Sequence, residues 1–377
     1  MSSSNKHLRV ALVGLGEAGF TIHLPALASL STAAIVGACD LDPARRDHAA
    51  TRYNVPVFSD YPGMLREVTP DVVVIGTPPE SHLQGCLDAL QANAHVICEK
   101  PFVPAIADAD TILAAARRAG RQVAVHHQFR EMPIFRALLE RVHAAGAQSL
   151  GFVQVWQLMD VPAGSEVGWR GQMRHRTLYE AGVHLVDYVL ALFGEVPVSV
   201  QAMVSSGGRG DLSDAVVNAT LEFSGGRLAQ LTQNRITKSA RRYFEVRAEL
   251  PRESLRASFG GRSQMLIGMS GGTRPSCRVD FGFSGLAWSD SGGHRRVLAR
   301  NPRQPMVLAA RAVFAKTLHA FATGTEPPTS GQTARDVLAV ISACYHSAET
   351  GNRVRLDDPA FPVTRTRRLG ASAATDD

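Results

Sequence analysis

The stretch from Val10 to Asp40 constrains the fold more than any other part of the chain. An apolar run, Val10-Ala11-Leu12-Val13, leads directly into Gly14-Leu15-Gly16-Glu17-Ala18-Gly19. A segment of helical character follows. A second apolar run, Ala34-Ile35-Val36-Gly37-Ala38-Cys39, then ends on Asp40. Strand, glycine turn, helix, strand and acid, in that order, make a dinucleotide-binding βαβ unit. The first glycine permits a tight turn and the second lets the backbone approach a pyrophosphate. The third lets helix and strand pack closely, and the helix N-terminus turns free N–H groups toward the phosphates. Asp40 falls 21 residues after Gly19, where a carboxylate can accept hydrogen bonds from the adenosine ribose hydroxyls. Gly14, Gly16, Glu17, Ala18 and Gly19 are therefore candidate phosphate contacts, and Asp40 is the candidate ribose contact.

The same alternation continues for the first third of the chain. Helices are predicted over 43–53, 60–68, 80–92 and 105–119, and strands over 55–58, 71–75, 95–98 and 122–125. Asp71-Val72-Val73-Val74-Ile75 is continuously apolar after its first residue, as strands of a parallel sheet covered on both faces are. Repeated strand–helix units at this spacing predict a doubly wound parallel sheet. After a helix over 131–145, strand signals dominate: 151–158, 196–204, 215–223, 227–233 and 243–250. One strong helix, 178–193, interrupts them, and Phe223-Ser224-Gly225-Gly226-Arg227 reads as a hairpin turn. The expected architecture is an N-terminal doubly wound domain over 7–126 and a C-terminal α+β domain over 127–357 on a mostly antiparallel open sheet. Helices within 307–349 are expected to pack back toward the first domain. The polar tail, 358–377, is read as disordered at its end.

Bulk properties narrow the function classes. A chain of 377 residues with 45% hydrophobic and 20% charged content suits two soluble domains. No apolar run is long enough to cross a bilayer. The start, Met1-Ser2-Ser3-Ser4-Asn5-Lys6, has neither the apolar core of a secretory signal nor space for a transit peptide. The five cysteines are scattered without a C-x-x-C pair, which argues against a disulfide framework and suits a reducing cytoplasm. The net charge of +6 comes from dispersed arginine, and aromatic content is 6%. That is solvated surface charge rather than a nucleic-acid stripe.

Three further segments carry chemistry. Glu99-Lys100-Pro101 follows the fifth strand, at the carboxyl end where doubly wound sheets hold their ligands. An ammonium there can stabilise negative charge developing on a substrate oxygen, although a surface Glu-Lys pair ahead of a helix is an equally simple reading. Tyr179-Glu180-Ala181-Gly182-Val183-His184 through Asp187 places Glu180, His184 and Asp187 at i, i+4 and i+7, one stripe of a helix. An imidazole in that stripe can shuttle the hydroxyl proton, with Tyr179 as a reserve donor. Glu180, His184 and either His126 or His127 offer a metal alternative but no compact ligand set, so no metal is expected. Gly76-Thr77-Pro78-Pro79-Glu80-Ser81-His82 forms a loop after the fourth strand, on the cofactor side.

With these residues in place the chain resembles the Gfo/Idh/MocA oxidoreductases, the glucose–fructose oxidoreductase and inositol dehydrogenase superfamily. The resemblance runs from about Leu8 to Leu356. It rests on the glycine motif with His23-Leu24-Pro25, Asp40, Gly76-Thr77-Pro78 with His82, Glu99-Lys100-Pro101, Phe129-Arg130, Trp169-Arg170, Gly182-x-His184-x-x-Asp187 and Gly324-Thr325-Glu326-Pro327-Pro328. It implies a Rossmann domain, a nicotinamide cofactor contacted also by Thr77, Pro78, His82, Glu99 and Lys100, and Lys100 with His184 at the substrate carbon. Glu180 stands where the family usually has aspartate. Arg130, Trp169, Arg170, Arg174 and Tyr179 join Lys100, Glu180 and His184 as expected substrate contacts. Strand residues such as Gln154 and Trp156 are expected to shape the pocket. The basic run around Arg174-His175-Arg176, where the family often has glycines, points to an anionic group on the substrate.

Asp40 favours NAD, and the nearby Arg45 and Arg46 leave NADP open. The implied activity is hydride transfer between nicotinamide and a secondary alcohol or ketone of a sugar, cyclitol or related polyhydroxy compound. The implied assembly is a homodimer or homotetramer. Alternatives on the same scaffold are an imine or enol reductase, a redox-neutral lyase, and a non-catalytic dinucleotide sensor.

Overall fold

The computed structural model describes residues 7–162, 164–165, 167–173, 175–210, 214–238, 242–260, 262–267, 277–282, 285–361 and 363. Contacts divide the chain into two compact units. One holds the chain as far as Met132 together with Met306–Ser342, and the other holds Pro133–Pro305 and Ala343–Asp358.

The first unit is built on six strands: β1 (Leu8–Val13), β2 (Ala33–Cys39), β3 (Val57–Phe58), β4 (Val72–Ile75), β5 (His95–Cys98) and β6 (Val123–Val125), in the order β3-β2-β1-β4-β5-β6. Every pairing is parallel. The order reverses between β1 and β4, and such a switch point opens a crevice outside the carboxyl ends of the strands. Local chemistry fixes the intervening helices. Asp42 caps Pro43–Tyr53 by accepting from the Ala44 N–H, and Asp60 caps Tyr61–Val68 by accepting from the Gly63 N–H. Left-handed Asn54 and Gly120 end two helices. All four side chains of β4 are buried, as a strand covered on both faces requires. The helix Pro305–Thr323 adds Ala310, Phe314, Leu318 and Phe321 to the core of β1 and β4.

The second unit carries a nine-stranded sheet and a separate two-stranded ribbon. Its strands are β7 (Phe152–Met159), β8 (Ser199–Ser205), β9 (Val216–Glu222), β10 (Leu228–Asn234), β11 (Arg242–Leu250) and β12 (Glu253–Gly260), then the ribbon β13 (Arg262–Ile267) and β14 (Cys277–Gly282), and finally β15 (Leu286–Ser291), β16 (His294–Arg300) and β17 (Val354–Arg355). The large sheet runs β16-β15-β12-β11-β7-β10-β9-β8-β17. Only its β7–β10 pairing is parallel. Helix Val183–Phe193 packs on β7 and β10, and helix Pro133–Ala144 packs on β12, β15 and β16. Alternation therefore buries Val153, Val155 and Gln157 of β7, with Ala229, Leu231 and Gln233 of β10, on the inner face. The strands beyond Leu250 extend the sheet further than the apolar pattern alone indicated.

Candidate active site

The glycine turn is shaped by close approach. Gly14 has φ +90°, and a Cβ there would lie 2.6 Å from the Gly76 carbonyl carbon, so the turns after β1 and β4 touch backbone to backbone. A Cβ on Gly19 would lie 2.6 Å from the Gly14 carbonyl oxygen, as the packing role of the third glycine requires. Gly16 is different. The nearest atom to a Cβ there is Arg45 Nη1, 4.0 Å away, so the turn is open on that side. The helix that follows starts at Glu17 and Ala18, with a π-helical turn over Gly19–His23.

Asp40, the candidate ribose contact, is engaged by the backbone. Its Oδ2 accepts from the Leu15 N–H at 2.6 Å and its Oδ1 from the Asp42 N–H at 2.9 Å. The carboxylate thus staples the turn after β2 to the glycine turn.

The Glu99-Lys100-Pro101 turn leaves β5, and its Lys100–Pro101 bond is cis. Glu99, expected among the cofactor contacts, directs its carboxylate at His23 and His126. Its Oε1 accepts from His23 Nε2 at 2.7 Å and lies 3.2 Å from His126 Nδ1, while its Oε2 accepts from the Lys100 N–H at 2.9 Å. Burial pushes the Glu99 carboxyl up, but the two imidazoles outweigh it and hold the group well below the usual carboxylate range. Burial likewise lowers His126 and keeps it neutral, with Glu99 opposing only in part. An ionised carboxylate only accepts hydrogen bonds, so His23 donates. Phe314 packs against both imidazoles. Among the described residues, His23, Glu99 and His126 form one group with metal-ligand spacing, their ligand atoms within 4.8 Å. Sequence reasoning used His126 only in a metal set with Glu180 and His184. The usable signal was His23, four residues past the third glycine.

His82, also expected at the cofactor, acts as a strut. Its Nδ1 lies 2.8 Å from the Phe102 carbonyl oxygen and its Nε2 2.8 Å from that of Thr77. It ties the Thr77-Pro78 loop to the chain just past Lys100. Arg130 is buried in the turn after β6 and donates to the Pro328 carbonyl at 3.3 Å.

The second unit presents the other candidates. Thr177–Gly182 forms a π-helical turn that runs into the helix Val183–Phe193. Every residue from Val183 to Phe193 is buried, His184 and Asp187 included, and Glu180 lies in the π turn that precedes them. Glu180 pairs with two guanidiniums: Arg170 Nε donates at 2.7 Å and Arg176 Nε donates to the other oxygen. Burial pushes Glu180 up, but Arg176 and Arg170 prevail and keep it ionised. Tyr179 is buried in the same turn. Asp214, which sequence reasoning missed, anchors the start of this segment. It accepts from the Thr177 N–H at 2.7 Å and from the Tyr345 hydroxyl at 2.6 Å, and that hydroxyl accepts from the Leu178 N–H. Arg174 and the side chain of Trp169 lie outside the described residues.

Gln154 and Trp156, expected to line the pocket, lie on the outer face of the sheet. Gln154 bonds Gln230, and Arg247 stacks over Trp156 at 4.9 Å. Strand alternation places Gln157, not its neighbours, on the inner face, in register with Gln233.

Known proteins share both halves. A family model for GFO/IDH/MocA oxidoreductases with an NAD-binding Rossmann fold matches residues 8–127, and a model of the GFO/IDH/MocA C-terminal domain matches residues 150–250. A candidate UDP-kanosamine synthase oxidoreductase subunit from Amycolatopsis mediterranei is 30% identical over 287 residues, 74% of this chain and 76% of the relative. The chain belongs to the GFO/IDH/MocA oxidoreductase family. D-apiose dehydrogenase from Paraburkholderia graminis is 28% identical over 357 residues, 93% of this chain and 90% of that protein. An Agrobacterium radiobacter oxidoreductase, solved with NAD+, L-tartaric acid and magnesium, shares the fold with a TM-score of 0.77 at 18% identity, covering 93% of this chain and 99% of that one.

As a member of this family the protein is an NAD(P)-dependent oxidoreductase. Its residues fit the cofactor: Gly16 leaves the turn open where a pyrophosphate would lie, and Asp40 is fixed at the end of β2. Among the described residues no helix is long and apolar enough to cross a membrane.

Proposed function

We propose that the enzyme moves hydride between NAD(H) and a secondary alcohol, or the matching ketone, of a sugar or related polyhydroxy compound that carries an anionic group. The observation that carries this reading is the Lys100 turn. It lies at the carboxyl end of β5, is fixed through Glu99, and is tied by His82 to the loop after β4. A lysine so held suits a substrate oxygen that becomes negative as hydride leaves or arrives.

Nicotinamide, when bound, supplies the hydride acceptor or donor. Lys100 orients the reacting oxygen and stabilises its charge. His184 takes the hydroxyl proton during oxidation and returns it during reduction. Glu180, ionised and paired with Arg170 and Arg176, is a poor proton acceptor and serves to position those guanidiniums. The anionic group rests on that arginine pair, since guanidinium binds carboxylate and phosphate through paired hydrogen bonds. The relatives' names, D-apiose dehydrogenase and a UDP-kanosamine synthase subunit, favour a sugar. Assembly as a homodimer or homotetramer belongs to the same proposal and is favoured by exposed Met203 and Leu228 on the outer face of the large sheet.

The test is NAD+ reduction over a panel of D-apiose, myo-inositol, D-gluconate and UDP-glucose. Turnover of at least one is expected, and Lys100→Met and His184→Asn should each lower kcat by about a hundredfold or more. Nicotinamide that copurifies and cycles without net NADH would move the assignment to a redox-neutral lyase. Both variants turning over at the wild-type rate would overturn the roles given to Lys100 and His184.

A further inference from the structure

The segment that leads into Glu180 and His184 starts on a buried polar junction drawn from distant parts of the second unit. Asp214 lies just before β9, and Tyr345 lies on the helix Gly331–Thr350; both are buried. Asp214 Oδ1 accepts from the Arg176 N–H at 3.3 Å. Its Oδ2 accepts from the Thr177 N–H at 2.7 Å and from the Tyr345 hydroxyl at 2.6 Å. The Asp214 carbonyl accepts from the Thr177 hydroxyl at 2.9 Å. The Tyr345 hydroxyl accepts in turn from the Leu178 N–H at 2.9 Å. Three successive N–H groups, from Arg176 to Leu178, thus end on one carboxylate–phenol pair. They stand at a helix start, where N–H groups have no partner within the helix. Burial, with Asp214 beside it, pushes the Tyr345 hydroxyl well above the usual phenol range, so it keeps its proton and donates it to the carboxylate.

This junction bears directly on the arginine pair. Arg176 gives its N–H to Asp214, and its carbonyl accepts from the Glu180 N–H at 2.8 Å. Its guanidinium then meets the Glu180 carboxylate, whose other oxygen takes Arg170. Fixing the backbone over 176–178 therefore fixes the point from which the Arg176 side chain starts, and with it the Glu180–Arg170 pairing. His184 is held by other means. It belongs to the helix Val183–Phe193, which is buried along its whole length and packs on β7 and β10. Core packing of that kind does not depend on a tether at the turn before it.

We propose that Asp214 and Tyr345 are positioning residues for the anion subsite. The pair sets the backbone from which Arg176 reaches the acidic group of the substrate. It thereby governs the affinity for an anionic substrate over a neutral one, and leaves the hydride step to Lys100 and His184. This role rests on the arginine pair's being the anion subsite, as proposed above.

The experiment compares the full-length wild type with Tyr345→Phe, which keeps the ring and removes the hydroxyl, and with Asp214→Asn, which keeps the shape. The first readout, hydrogen exchange by mass spectrometry, needs no substrate. Exchange over 176–182 should quicken by about tenfold or more in both variants, while 184–193 keeps its wild-type protection. The second readout is steady-state kinetics with D-gluconate and UDP-glucose as anionic substrates and D-apiose and myo-inositol as neutral ones. The KM for the anionic substrates should rise by about tenfold or more, with the neutral KM and every kcat within about threefold of wild type. Unchanged exchange over 176–182 in both variants overturns the tether. Faster exchange overturns the positioning role if the anionic KM stays at wild type, or if anionic and neutral substrates suffer alike. Arg176→Ala with an unchanged anionic KM, or a wild type that turns over neither anion, overturns the anion subsite itself and the role built on it. The exchange result tells these two failures apart.

Discussion

Replacing Glu99 by Gln tests whether the Lys100 turn is held from beneath. In the native protein the carboxylate receives the His23 N–H at 2.7 Å and the Lys100 N–H at 2.9 Å, with His126 Nδ1 at 3.2 Å. Glutamine keeps the shape but has one acceptor oxygen and an NH2 group that must face one of these donors. A hydrogen bond to a charged group contributes about 1.5–3 kcal/mol, and breaking a buried charged pair costs about 3–5 kcal/mol. Part of that gain is already spent on desolvating Glu99, which is 8% exposed. The net loss is about 3 kcal/mol. For a unit of this size that lowers the melting temperature by about 6–12 °C.

The pH dependence has a definite sign. Glu99 is held below its ordinary value, so its contribution is complete above about pH 4.3 and is lost as pH falls through the lowered native value. The difference between wild type and Glu99→Gln should therefore be full at pH 7 and shrink in acid. Differential scanning calorimetry across that range measures it. A freer Lys100 should also lower kcat by about tenfold, in keeping with the cost of a misplaced reacting group. Coincident melting of the two proteins at pH 7 would refute the idea that Glu99 is an anchor.

Two other outcomes follow from the structure. Gly19→Ala puts a methyl 2.6 Å from a backbone carbonyl that cannot move without reshaping the turn. It should cost about 1–3 kcal/mol and weaken NAD+ binding at least tenfold, checked by urea unfolding and calorimetric titration. The imidazole of His95 is lowered to about 4 by burial, with help from Arg121, and its Nδ1 accepts the Gln122 N–H. It should stay neutral well below pH 6, followed by NMR of its carbon-bound protons. Because the unfolded chain takes up this proton near pH 6.5 and the folded chain does not, the native state loses stability as pH falls from about 6.5 toward 4. A midpoint near 6.5 in the folded protein would contradict it.

How much of the site could be read in the sequence depended on how local each feature is. The glycine turn, Asp40, the turn after β4 and Glu99-Lys100-Pro101 are short segments at strand ends, so the alternating pattern alone placed them at one edge of a parallel sheet. The roles of Glu99 and His82 were not legible. Each faces partners far along the chain, His23 and His126 for one and Phe102 for the other, and such pairings leave no periodic trace. Gln154 and Trp156 show the opposite difficulty. A strand's two faces differ by one residue, so choosing the face that meets the helix requires knowing which side is covered. The stripe from Glu180 to Asp187 begins in a π turn, Thr177–Gly182, rather than in a regular α-helix, and residue spacing alone does not distinguish the two.

By itself the sequence determined that this is a doubly wound dinucleotide-binding unit followed by an α+β unit, because glycine spacing, strand periodicity and helix caps are encoded within a few residues of one another. It also determined which side chains could do chemistry. Only the tertiary structure decided which of them are committed. Glu99 is buried beneath Lys100, Glu180 is spent on two arginines, and Arg46 is fixed to the backbone while Arg45 faces the open side of Gly16. The physical reason is that the chemistry of a charged group follows from the donors, acceptors and solvent around it. Folding assembles those surroundings from segments that are distant in the chain.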